Sequence, residues 1–390
     1  MSRQPIARSS DLLKLQNEGF DLAIAGGYLL VRDIPYVTDA KSISRGILVM
    51  PLDLAGEIAT KPASHIAYWI GRHPCHSTGA KIRAIENSSQ PQDFGNGVRI
   101  EHTFSAKADY RDYHHKVKTY VGRIAGEAAK IDPSAKAETF PVIPADTAEG
   151  VFHYVDTASS RAGIAAINAR VAGHKIGILG VGGTGSYVFD LVAKSMVAEI
   201  RVIDGDLMLN HNAFRAPGAP SIDELCQKPK KVAYFGTIYE RMRRGIVRHD
   251  VDIGPDNVEL LDGLDFAFIC MDAGDAKRIA IERLNANGTP FIEVGMGVLV
   301  NDDKLGGIIR VVCSTTPTRT AAAPHISYAT DDGGLNQYTT NIQTPELNAL
   351  NAALAVIRWK QHAGIYENVR AAIYTGYSIA SGEIVTKGIT

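Results

Sequence analysis

The feature that most constrains this chain is the run KIGILGVGGTGS at 175–186. It reads as a short apolar strand, a turn rich in glycine, and the first residues of a helix. Gly180, Gly182 and Gly185 satisfy the spacing G-x-G-x-x-G, and Gly183 adds a fourth glycine. Glycine lets a backbone come close to phosphates, and the free N–H groups at a helix start carry partial positive charge. A strand before the turn and a helix after it is the context such a loop needs. The run therefore predicts a nucleotide-phosphate site on an α/β sheet. Which nucleotide it takes stays open at this point. A dinucleotide site expects an acid about 20 residues on, at the end of the next strand. Asp204 lies 19 residues past Gly185, so the loop alone fits a nicotinamide dehydrogenase equally well. It lacks the Lys-Ser/Thr ending of a P-loop, which disfavours a motor- or kinase-type NTPase.

The surroundings of the loop agree with an α/β sheet. KIGILG, EIRVID, DFAFICMD and PFIEVGMG are short apolar runs with strand character. Helical patterns at about 183–194, 221–244 and 275–286 separate them, an alternation that implies parallel strands with crossover helices. A further helix is expected at 344–362 and a small hairpin at YSIASGEIV. The stretch from 133 to 150 holds three prolines and little periodicity, which places a boundary there. We therefore expect an α+β domain at 1–145 and the nucleotide-binding domain at 150–390. In the first, GFDLAIAGGYLLVRDI reads as a hairpin about Gly26 and Gly27, and RGILVMPL and HIAYWIGR as further strands. DYRDYHHKVKTYVGRIAGEAAKI reads as a long helix. Its apolar residues recur near helical spacing, and His114, His115, Lys116 and Lys118 form its solvated face.

The residues after Asp204 separate the nucleotide readings. The run DGDLMLNHNAFRAPGAPSIDELCQKPKK carries the acidic pair Asp204 and Asp206, then Asn212 and Arg215 at N-x-x-R spacing, then Lys230 after Pro229. Asp272 ends the later strand in Cys270-Met271-Asp272. With the loop of Gly180, Gly182, Gly183 and Gly185, this order resembles the adenylation core of ThiF, MoeB and the ubiquitin-activating enzymes. The resemblance covers about 160–362. It implies a Rossmann-like domain with a mostly parallel sheet that uses ATP and Mg²⁺ to adenylate the C-terminal carboxylate of a ubiquitin-like protein. It further implies that Asp204 holds the ribose, that Asn212, Arg215 and Lys230 contact phosphates, and that Asp272 coordinates the magnesium. Lys231 is adjacent, and the sequence does not say which lysine turns inward. Arg161 stands where the family often sends an arginine into a partner protomer's nucleotide site, so a homodimer is expected. Activation of a sulfur-carrier protein is the neighbouring alternative, and a nicotinamide dehydrogenase the more distant one.

The chain departs from that family in two places. Many relatives carry two C-x-x-C pairs for structural zinc. The four cysteines here, Cys75, Cys226, Cys270 and Cys313, form no such pair, so no zinc site is expected. Many also pass the activated acyl group to a cysteine just before the closing helix, where this chain has Tyr338, Thr339 and Thr340. Three readings are open. Cys313 forms a thioester from a mobile crossover loop. A hydroxyl of Ser327, Thr330, Thr339 or Thr340 forms an oxyester, for which His325 is an available base. Or the chain only adenylates and hands the acyl group to another protein. Cys270 reads as core.

The N-terminal segment does not resemble the adenylation core. It is similar to a domain fused in front of such enzymes in some bacterial ubiquitin-like gene clusters. We read it as a binding module for the modifier or for a ubiquitin-conjugating-like enzyme. Cys75 with His73 and His76 places three ligand-type residues in four positions, which cannot all face one ion from a strand. The net charge of −1 gives no pull toward nucleic acid or an anionic membrane. No apolar run approaches the ~18–20 residues of a membrane span, and no apolar signal core opens the chain, so the expected setting is cytoplasmic.

Overall fold

The computed structural model describes residues 4–145, 150–272, 274–328 and 342–388. The chain divides into two compact units, Met1–Ile143 and Pro144–Thr390.

The first unit is built on an antiparallel sheet. Its strands are β1 (Asp21–Ala25), β2 (Tyr28–Val37), β3 (Ile43–Pro51), β4 (Ile66–Ile70), β5 (Glu86–Ser88) and β6 (His102–Ser105), in the order β1-β2-β3-β4-β6-β5. Gly26 and Gly27 both take positive φ between β1 and β2, the conformation a two-residue hairpin turn requires. Helix α1 (Ser10–Asn17) and helix α2 (Tyr113–Ala129) close one face of the sheet. Tyr113, Val117, Tyr120, Val121 and Ile124 of α2 are buried there, at the spacing the sequence predicts. Lys116 differs from expectation. It is buried rather than solvated, and its Nζ donates to the Ser64 carbonyl at 2.8 Å. Burial pushes its pKa down to about 8.

The second unit carries a larger sheet. Its strands are β7 (Lys175–Leu179), β8 (Glu199–Ile203), β9 (Ile246–His249), β10 (Phe266–Ile269), β11 (Phe291–Asn301), β12 (Lys304–Ser314), β13 (Ala372–Ser378) and β14 (Ile384–Gly388). The order is β9-β8-β7-β10-β11-β12-β13-β14. The strands from β9 to β11 are parallel, and β12, β13 and β14 add antiparallel pairs. Crossover helices are α3 (Gly183–Ala193), α4 (Lys231–Glu240) and α5 (Asp275–Ala286), with α6 (Pro345–His362) closing the chain onto the sheet. Alternate strand residues face opposite cores. Ile176, Ile178, Ile200, Val202, Phe266 and Phe268 meet α3, α4 and α6, whereas Leu179, Ile203, Ala267 and Ile269 meet α5. This is a Rossmann-like α/β layer arrangement.

Two expectations change here. The helix expected over 221–244 is two helices, Ile222–Cys226 and α4, because Pro229 and the positive φ of Lys228 interrupt it. Strand β9 was not expected. It lies at the sheet edge, and of its four residues none is fully buried. Among the described residues no helix is long and apolar enough to cross a membrane.

Candidate functional site

The chain leaves β7 for β8 and β9 on one side, then returns to β10 on the other. Open parallel sheets bind ligands where strand order reverses in this way, outside the C-terminal ends of the strands. A cavity of about 320 Å³ lies there. It is lined by Gly180, Gly182, Gly183 and Thr184 of the glycine loop and by Asp204, Asp206, Arg215 and Lys231 after β8. The stretch 251–253 after β9, Cys270, Met271 and Asp272 after β10, Lys277 of α5, Gly295 of β11, Arg310 of β12 and Asn351 of α6 also line it.

The loop geometry depends on its glycines. Gly180 has φ +83°, and a Cβ there would stand 2.8 Å from the Cys270 carbonyl oxygen. A Cβ on Gly185 would run into the Gly180 carbonyl, so only glycine lets α3 descend onto the loop. Asp204, at the end of β8, is buried. Its carboxylate accepts the Val181 N–H at 2.7 Å and the Asp206 N–H at 2.9 Å, which ties the loop to the segment after β8. Arg215 lines the cavity, and its buried Nε has no hydrogen-bond partner among the described residues. Asp272 is exposed on the cavity wall just before α5.

Of the two adjacent lysines, Lys231 faces the cavity. Its Nζ lies 2.6 Å from Asp206 and 3.5 Å from Asp204, with only 8% of the side chain exposed. Lys230 turns outward. Its Nζ donates to the Gly205 carbonyl at 2.7 Å and pairs with Asp250 at 3.0 Å. Asn212 is buried but does not line the cavity. Its side-chain oxygen accepts the Leu209 N–H at 2.9 Å and fixes the short helix Asn210–Ala213. Neither Lys230 nor Asn212, expected to contact phosphates, is among the residues that line the cavity. Arg161 ends the short helix Thr157–Arg161, is exposed, and is not among the residues that line this cavity.

Residues 161–326 match the ThiF family, and residues 10–157 match a domain of unknown function, DUF6791. The second unit carries a ThiF domain. No sequence among the curated proteins matches the chain. Among solved structures, selenomethionine PaaA shares 17% identity over 60% of this chain and 71% of that one, with a TM-score of 0.46. Escherichia coli MccB with ATP shares 18% over 60% and 69%, with a TM-score of 0.44. The same enzyme with AMPCPP and MccA shares 17% over 60% and 69%, with a TM-score of 0.46.

The ThiF match runs from before β7 to Ile326. It contains the glycine loop, Asp204, Asp206, Arg215, Lys231 and Asp272, whereas Asn351 lies beyond it on α6. Cys313 does not sit in a crossover loop. It is the penultimate residue of β12, paired with Ile292, and it is buried. Burial pushes its thiol up to about 11, which opposes the thiolate a nucleophile needs. Cys270 lines the cavity, and burial pushes its thiol up as well. Ser327 also lines the cavity. Thr330, Thr339 and Thr340 lie outside the described residues.

The sequence reading missed a charged group at the inner wall of the ThiF domain. Glu293 of β11 is fully buried and accepts from Lys277 at 2.7 Å and from Arg310 at 2.9 Å. Both cations line the cavity, and Arg310 Nε and Glu293 Oε2 have no hydrogen-bond partner among the described residues. A signal was available, since a lone acid in PFIEVG and a lone arginine in GGIIRVV are costly in strands unless they pair.

Proposed function

We propose that the ThiF domain joins a carboxylate to the α-phosphate of ATP, and that the carboxylate is the C-terminus of a ubiquitin-like protein. A carboxylate oxygen bonds to the α-phosphorus. The bond from that phosphorus to the α,β-bridging oxygen breaks, and pyrophosphate leaves with the electron pair. The carboxylate is already ionised at neutral pH, so no base is required. Rate then comes from alignment and from offsetting charge.

The observation that carries this reading is the meeting of the glycine loop, Asp204, Arg215, Lys231 and Asp272 around one cavity. In this reading Asp204, whose oxygens keep lone pairs beside their two amide contacts, accepts from ribose hydroxyls. Loop amides, Arg215 and Lys231 face the phosphates. The buried Arg215 Nε, without a partner among the described residues, supports an anionic ligand beside it. Asp272 holds Mg²⁺, which offsets phosphate charge when bound. Among the described residues no three His, Cys, Asp or Glu side chains are grouped to hold a metal ion. Magnesium suits such a wall, because it takes one or two carboxylates and fills its remaining positions with water and phosphate oxygens.

The chain acts as a homodimer in this reading, with Arg161 offered to the second protomer. Phe214 and Ile222, at 74% and 80% exposure, give that contact apolar surface. The acyl group passes to a conjugating-type enzyme, either directly or through a hydroxyl at 327–340, and the N-terminal unit docks one of these partners. The test is radiolabelled ATP–pyrophosphate exchange with candidate ubiquitin-like proteins and with their C-terminally amidated forms. Exchange that requires the free carboxylate, stops with a chelator and is lost in Asp272→Ala supports the assignment. MgATP binding without exchange for any carboxylate protein removes it.

A further inference from the structure

Strands β9, β8 and β7 are neighbours and parallel, so the segments that leave their C-terminal ends form a row along one edge of the cavity. The glycine loop comes after β7, Asp204 after β8, and residues 251–253 after β9. Adjacent strands stand about 4.8 Å apart, so the row spans about 10 Å, roughly the reach of a nucleoside monophosphate from phosphate to base. The inference rests on the ATP reading above. With phosphates at the loop and ribose at Asp204, the base falls at 251–253.

That stretch offers the base apolar contact and one carboxylate. Val251 and Ile253 line the cavity on either side of Asp252. The backbone there is held in place, because Asn257 donates from its amide to the Asp252 carbonyl at 2.9 Å and accepts the Gly254 N–H at 2.8 Å. The Asp252 carboxylate lies over Gly205, where a Cβ would stand 2.7 and 3.0 Å from its two oxygens. Any other residue at 205 would push it aside. Its neighbours are all engaged: Asp204 by two amides, Asp206 by Lys231 and Asp250 by Lys230. The Asp252 carboxylate accepts no hydrogen bond from any described residue, yet it forms part of the cavity wall.

We propose that Asp252 is the base-selecting residue of this site. Its carboxylate accepts a hydrogen bond from the exocyclic amine of a 6-aminopurine. A 6-oxopurine presents lone pairs at the same place, and the carboxylate repels it. Both effects act on the base and leave the phosphate contacts alone, so they appear as a difference between nucleotides that share one triphosphate.

Equilibrium binding to the full chain with magnesium, by calorimetry, reads this out. The probes are ATP, inosine triphosphate and purine riboside triphosphate, which has no 6-substituent. Wild type is expected to bind ATP on the order of tenfold more tightly than purine riboside triphosphate, as one hydrogen bond to a charged group predicts, and inosine triphosphate weakest. In Asp252→Ala the ratio of ATP to purine riboside triphosphate falls toward one. In Asp252→Asn, whose amide can donate, inosine triphosphate gains on ATP. An unchanged ratio in Asp252→Ala, or equal binding of all three by wild type, overturns the assignment while leaving the ATP site intact. Absence of binding by every nucleotide overturns the ATP reading and this assignment together.

Discussion

Replacing Lys231 with alanine is expected to weaken MgATP binding far more than the same change at Lys230. Lys230 is extended and precedes α4, whereas Lys231 is its first residue, so the two side chains diverge. Lys230 is 40% exposed and its partner Asp250 is 45% exposed. Exposed pairs of this kind contribute about 0–1 kcal/mol, so Lys230→Ala should shift Kd by less than about fivefold. Lys231 is 8% exposed and lies within 2.6 Å of one carboxylate and 3.5 Å of another. A hydrogen bond from a buried ammonium is worth about 1.5–3 kcal/mol, or roughly 10- to 150-fold in Kd. A second effect acts in the same direction. Without Lys231, Asp204 and Asp206 lose their shared cation and confront a triphosphate. The expected loss therefore lies toward the upper end of that range, with Lys231→Arg intermediate because a fork replaces a point charge. Calorimetric titration of the full-length variants measures it, with thermal midpoints as the check on folding. Because the contact is shielded from solvent, the loss should persist between about 0.05 and 0.5 M salt. Equal losses at the two positions, or a larger loss at Lys230, would refute the assignment of the inward lysine.

Two other outcomes are expected. The folded pKa of Lys116, about 8, lies below its unfolded value, so the fold penalises the charged form. That penalty is fully present below pH about 8 and is relieved as pH rises toward about 10.5. Lys116→Met should thus stabilise the first unit by about 1–3 kcal/mol near neutral pH, after allowing for the lost bond to the Ser64 carbonyl, and by progressively less in alkali. Denaturation followed at Trp69, which lies in the same core, checks this, and a pH-independent difference would contradict it. Thiol alkylation of the native chain near neutral pH should modify exposed Cys226 first. Cys75 and Cys313, both buried with thiols pushed up by burial, should react only on unfolding, and rapid labelling of Cys313 would restore it as an acyl-acceptor candidate.

How much of this was legible in the sequence depended on whether the signal was local. The central strands were readable because a strand buried on both faces is a continuous apolar run, as in KIGIL and FAFI. The glycine loop was readable because its spacing is a backbone requirement. Edge strand β9, IVRH, was not, since a half-covered strand needs no apolar run. The break at 227–230 had a visible cause in Pro229, but the helical pattern on both sides masked it. Side-chain direction was the poorest signal. Asn212 and Lys230 stand at family-like spacing, yet one caps a helix and the other reaches a surface carboxylate. Choosing Lys231 over Lys230 needs the rotation at the start of α4, which no local pattern encodes. The end of β12 likewise decided Cys313, because the strand continues through Ser314 and takes the thiol into the core.

The Lys277–Glu293–Arg310 group shows how long-range pairing, invisible locally, serves the site. Two cations on one buried carboxylate, with Lys277 buried and Arg310 partly exposed to the cavity, contribute little net stability, because desolvation offsets their attraction. Removing one member alone is costly, about 3–5 kcal/mol, so the group persists only as a set. What the set provides is position. Lys277 belongs to the first turns of α5, Glu293 to β11 and Arg310 to β12, so the group fixes the start of a helix against two strands of the sheet. Asp272 lies three residues before that helix on the cavity wall. A carboxylate meant to hold a metal against a triphosphate works only within a few tenths of an ångström of its place. A charged brace one turn into the next helix holds α5 where apolar packing alone, which tolerates sliding, would not. The cost of burying the Lys277–Glu293 pair is thus borne where it steadies the residue on which the proposed chemistry most depends.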